Sequence, residues 1–83
     1  MEKTRLQTFL DNLGEGLSYS IRKNILYILH HDFICEINMK TDDLISYTLE
    51  KQKMNETDIE LLFEIRQNVG LISSLGMDLA SIK

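Results

Sequence analysis

The stretch from Asp43 to Leu75 constrains this chain most. It reads as a helix, a polar break at Lys53 to Glu56, a second helix and the start of a third. Thr57 stands three residues before Glu60, amid the apolar residues Ile59, Leu61, Leu62 and Phe63. A threonine oxygen accepting from an early backbone N–H, with a glutamate reaching back to the threonine N–H, makes a capping box and predicts a helix start. Proline is absent and glycine occurs four times in 83 residues. That scarcity favours uninterrupted helices over turn-rich β structure.

Helical spacing extends the reading to the whole chain. Over residues 4–16, Leu6, Phe9, Leu10, Leu13 and Leu17 fall at offsets of 3, 4, 7 and 11, one face of a helix. Residues 20–34 predict a second helix through Ile21, Ile25, Ile28, Leu29 and Asp32. Its centre, Ile25 to Leu29, is apolar or aromatic throughout, so it is central to the core or carries a sticky outer face. Residues 35–40 predict a single turn. Residues 42–52 predict a helix with Asp42 and Asp43 at its positive end, Leu44, Ile45, Thr48, Leu49 and Gln52 on one contiguous surface, and Glu50, Lys51 and Lys53 toward water. Residues 58–69 predict another, with Ile59, Leu62, Phe63, Ile65 and Val69 buried and Gly70 as its stop. Ile72, Leu75, Leu79 and Ile82 predict a last helix over 71–82, in which Gly76 costs up to about 1 kcal/mol against alanine. Five or six short antiparallel helices in one domain, 1–83, imply an all-α fold of crossed helices around a Leu/Ile core.

Composition excludes several function classes. A net charge of −4 argues against a duplex-binding module. A recognition helix over Thr57 to Val69 would turn Asp58, Glu60 and Glu64 toward phosphates. No apolar run approaches the roughly 20 residues that span a bilayer, and the start MEKTRLQTFLDNLG is too polar for a signal peptide. Cys35 has no partner cysteine, which fits a reducing, cytoplasmic setting.

The chemistry-bearing residues are few. On a helix, His30 and His31 would point about 100° apart and could not share a metal. Cys35 has no C-x-x-C spacing and reads as a small buried hydrophobe. Gly14-Glu15-Gly16 lacks the third glycine of a phosphate loop. Asp42-Asp43 reads as a helix start, not a carboxylate dyad. These features predict neither an enzyme nor a cofactor.

The order of signals resembles a death effector domain of the death-fold superfamily. Phe9 to Leu17 is similar to that family's first helix, Leu26 to Ile34 to its second, Leu44 to Met54 to its fourth, and Thr57 to Leu62 to the start of its fifth. The family's R-x-D-L motif has its nearest match in Asn68-Val69-Gly70-Leu71, which lacks both the arginine and the aspartate. A caspase recruitment domain is the sister alternative. The resemblance implies a compact six-helix antiparallel Greek-key bundle. It also implies homotypic assembly with other death-fold domains, as adaptor or decoy in apoptotic or inflammatory signalling. Its docking patch would fall at Ile28 and Leu29 with Tyr27 beside it, flanked by Arg22 and Lys23 on one side and Glu60 and Glu64 on another. Self-association is a further expectation. The alternative is a small acidic helical regulator, antitoxin-like and microbial or phage in origin, that binds a single protein partner.

Overall fold

From Ser18 to Thr48 the chain is extended, not helical. Ile21, Ile25, Tyr27, Ile28, Phe33, Ile34, Ile37, Ile45 and Tyr47 supply the β-branched and aromatic side chains that suit a pleated surface. The computed structural model describes residues 3–49 and 53–81. It contains helix α1 (Arg5–Leu13), strands β1 (Ser18–Arg22), β2 (Ile25–His30), β3 (Phe33–Asn38) and β4 (Asp43–Thr48), then helices α2 (Glu56–Gln67) and α3 (Val69–Ser81). The strands form one antiparallel sheet in the order β1-β2-β3-β4. The expected all-α six-helix bundle is therefore overturned, and with it the resemblance to a death effector or caspase recruitment domain, since that fold is all-helical. The helix expected over 20–34 is the end of β1, all of β2 and the start of β3. The turn expected over 35–40 lies largely in β3. The helix expected over 42–52 begins as β4, and its residues 50–52 lie outside the described ones, as does Ile82 of the last helix.

Tight turns set the register. Arg22 pairs with Ile25 and His30 with Phe33, leaving two-residue loops at Lys23-Asn24 and His31-Asp32. Lys23 takes φ 55° and His31 φ 58°, the sign that two-residue hairpins with right-handed twist demand of their first loop residue. Between β3 and β4, Asp42 at φ 62° closes a four-residue loop. Asn38 holds that loop, its Oδ1 accepting from the Lys40 and Thr41 N–H groups at 3.0 and 3.3 Å.

All three helices meet the same face of the sheet. On α1, Thr4 Oγ1 shares a 2.8 Å hydrogen bond with Tyr19 Oη, and Gln7 Nε2 donates to Leu17 O at 2.9 Å. On α2, Asp58 meets His30. On α3, Gly76 lies against Met39 and Leu26. The core between these layers joins Leu6 and Leu10 of α1, Leu61, Leu62 and Ile65 of α2 and Ile72 of α3 to Leu26, Ile28, Phe33, Cys35, Ile37 and Met39. Ile34 is buried yet stands outside this cluster, because it points the other way.

The cap of α2 also differs from expectation. Asn55, not Thr57, is the N-cap, its Oδ1 accepting from the Asp58 N–H at 2.8 Å. Thr57 lies exposed in the first turn. Asn55→Ala is accordingly expected to cost about 0.5–2 kcal/mol in urea denaturation, and Thr57→Ala a few tenths. The reverse ranking would restore the capping box.

Candidate functional site: a cleft beside α2 and an open sheet face

The residues singled out in the sequence divide between two surfaces and the core. Ile28 is 1% exposed and belongs to the core. Arg22, Tyr27 and Leu29 lie on the face of the sheet opposite the helices, and Lys23 is exposed in the β1–β2 turn. Glu60 and Glu64 are exposed on α2, where they line a cleft of about 1040 Å³.

The cleft lies where the end of α1, the β2–β3 turn and the first half of α2 converge. The local sequence fixes each wall. Helix α1 ends as Gly14 donates its N–H to Leu10 O at 3.2 Å. The β2–β3 turn is held against α2 by one polar clip, His30 Nδ1 to Asp58 Oδ1 at 3.2 Å. Both side chains are nearly buried, at 13% and 8% exposure. Asp58 sits in the first turn of α2, where the unpaired N–H groups of a helix favour a carboxylate. His31 is exposed, and its ring meets that of His30 edge-on at 4.6 Å between centroids. The expected pair of helix-end histidines is thus a turn, and one member is a structural tie.

The lining is both apolar and acidic. Ile59 and Phe63 are 53% and 60% exposed, large for apolar side chains and contrary to their expected burial. Helix α2 instead buries Asp58, Leu61, Leu62 and Ile65, so its inward face is rotated from the predicted one. Beside Ile59 and Phe63 stand Glu15, Glu60 and Glu64, and among the described residues the lining includes no lysine or arginine. Spacing of i, i+4 places Ile59 over Phe63 and Glu60 over Glu64, two adjacent stripes along the helix. No signal in the sequence separates these two apolar residues from the core residues beside them.

The second surface is the outer face of the sheet. Register builds it as three rows: Ser18, Leu29, Ile34 and Tyr47; Ser20, Tyr27, Glu36 and Ile45; Arg22, Ile25, Asn38 and Asp43. Ile45 is 59% exposed, and none of the described helices covers this face. The Tyr47 hydroxyl donates to Glu36 Oε2. Its pKa is pushed up to about 12, first by that bond and then by desolvation and the adjacent carboxylate.

The remaining chemistry is sparse. The Cys35 thiol is buried and pushed up to about 12 by that burial, which leaves it protonated and inert. Among the described residues no three His, Cys, Asp or Glu side chains are grouped to hold a metal ion, and no helix is long and apolar enough to cross a membrane. Fold and surfaces define the class: a two-layer α+β chain with a helix-side cleft and a second sheet face that none of the described helices covers. No family model, curated protein or solved structure matches the chain.

Proposed function

We propose that this chain is a non-catalytic protein-interaction module whose cleft receives a partner segment bearing basic and apolar side chains. The observation that carries the reading is the pairing of exposed Ile59 and Phe63 with the carboxylates of Glu15, Glu60 and Glu64 in one concave lining. Exposed phenylalanine anchors a partner by desolvation. Surrounding carboxylates select cationic partners and repel phosphates. The His30–Asp58 clip fixes the cleft's geometry by joining the turn to the helix. Inert Cys35 supplies no nucleophile.

The test uses two fluorescein-labelled peptides, one alternating leucine with arginine and one alternating leucine with glutamate. Polarisation is expected to report salt-sensitive binding of the first alone. Phe63→Ser, and separately Glu60→Lys with Glu64→Lys, are each expected to weaken it about tenfold, the scale of losing an anchor or a charge pair. Equal binding of both peptides, or binding indifferent to these substitutions, overturns the reading.

A further inference from the structure

We infer that the open face of the sheet is a homodimer interface, with the two-fold axis parallel to the strands and lying over the gap between β2 and β3. The inference does not draw on the cleft, which is on the helix side of the sheet and stays free in the dimer.

The reasoning begins with what the face holds. Its two central strands carry Tyr27, Leu29, the buried Ile34 and the carboxylate of Glu36, the edge strand β4 carries the exposed Ile45, and further charges stand at two corners, Arg22 on β1 and Asp43 on β4. Such an apolar face invites a cover. Two sheets pack face to face about 10 Å apart with strands within about 30° of alignment. A two-fold axis in the plane between aligned sheets then has two orientations.

If the axis crosses the strands, each strand lies over its own copy. The middle row maps onto itself, so Glu36 would face the partner's Glu36, two carboxylates desolvated together, which is strongly unfavourable. If the axis runs along the strands, each row maps onto itself reversed, β1 over β4 and β2 over β3. Arg22 then faces the partner's Asp43, and Asp43 the partner's Arg22, because both belong to the same row. Leu29 faces the partner's Ile34, and Ser20 the partner's Ile45. Tyr27 faces the partner's Glu36, whose Oε2 already accepts from Tyr47. A phenol donor facing a carboxylate is the pairing a buried charge needs. Charge complementarity thus selects both a second copy as the occupant and one axis for it.

The size of the face sets the strength. Four strands about 4.8 Å apart, with six residues rising about 3.3 Å each, present roughly 380 Å² in projection. Two such faces come to roughly 760 Å², below the roughly 1,000 Å² that a stable specific interface clears, so the dimer is weak and reversible, with a Kd on the order of 0.1–1 mM.

Sedimentation equilibrium of the intact chain, from micromolar to near-millimolar concentration, tests this. The expected result is a concentration-dependent monomer–dimer equilibrium. Arg22→Asp and Asp43→Arg are each expected to weaken it about tenfold or more, since each creates two like-charge contacts. The double reversal Arg22→Asp/Asp43→Arg is expected to restore it, and Ile45→Glu to abolish it. All these side chains are exposed, and far-UV circular dichroism should stay native throughout. A chain that remains monomeric, its open face left to some other protein, overturns the inference. A dimer indifferent to Ile45→Glu and Arg22→Asp overturns the face. Failure of the double reversal to restore association overturns the axis.

Discussion

Ile28→Asp is expected to leave the chain unfolded at room temperature. Ile28 is 1% exposed and lies between Tyr19 of β1 and Cys35 of β3 on the core face. Truncating a buried isoleucine costs about 2–5 kcal/mol. A buried carboxylate without a partner adds several kcal/mol more. At about 0.05–0.15 kcal/mol per residue, a domain of this length has roughly 4–12 kcal/mol in hand. The sum exceeds most of that range. Leu29→Asp, one residue on, changes a side chain of the open face, where the carboxylate keeps contact with water. It is expected to remain folded. Far-UV circular dichroism and thermal melting of the pair read the alternation directly. A folded Ile28→Asp beside an unfolded Leu29→Asp would mean that the strand is turned over, because a one-residue slip exchanges its two faces.

That same strand explains what the sequence concealed. Leu26 and Ile28 face the core while Ile25, Tyr27 and Leu29 face outward, and all five are apolar or aromatic. With both faces apolar, the two-residue period that marks a half-buried strand disappears. Ile21, Ile25, Ile28 and Leu29 then fall by coincidence on helical spacing. The loops gave no warning, since Lys23 and His31 take the positive φ usually signalled by glycine or asparagine. Helical spacing did locate three segments that are helical: 4–16 against Arg5–Leu13, 58–69 against Glu56–Gln67, and 71–82 against Val69–Ser81. Their apolar residues recur at helical spacing, although Ile59 and Phe63 of α2 and Leu71 and Met77 of α3 face water, so the period survives. The site was less legible. Solvent exposure of Glu60 and Glu64 follows from the α2 pattern, but the cleft needs His30, Asp58 and Phe63, which meet only after the sheet forms. Tertiary proximity across 28 residues leaves no periodic trace in a single chain.

Gly76→Val is expected to destabilise the fold by about 1–3 kcal/mol, the usual scale of overpacking. Gly76 is buried in the middle of α3, on the stripe that also buries Ile72 and Ser73. A Cβ at this position would lie 2.6 Å from Met39 Sδ and 3.5 Å from Leu26 Cδ2. Met39 has little room to yield. It is 5% exposed, and its N–H donates to Asn24 O at 2.8 Å, which pins its backbone. Valine gains only a few tenths of a kcal/mol over glycine in helix propensity, too little to offset the collision. Alanine gains about 1 kcal/mol but places the same Cβ 2.6 Å from Met39 Sδ, so Gly76→Ala is expected to destabilise less than Gly76→Val. Urea denaturation of Gly76→Val, Met39→Ala and the double variant measures the contact as a cycle. Removing the methionine side chain opens the space valine needs, so the double variant is expected to be more stable than the sum of the two single losses predicts. Strict additivity would mean that α3 rests elsewhere. The result bears on both surfaces at once. The glycine lets α3 approach the core face of the sheet, beside β2 and β3, and this seating keeps the helices on one face and leaves the other open to a second copy.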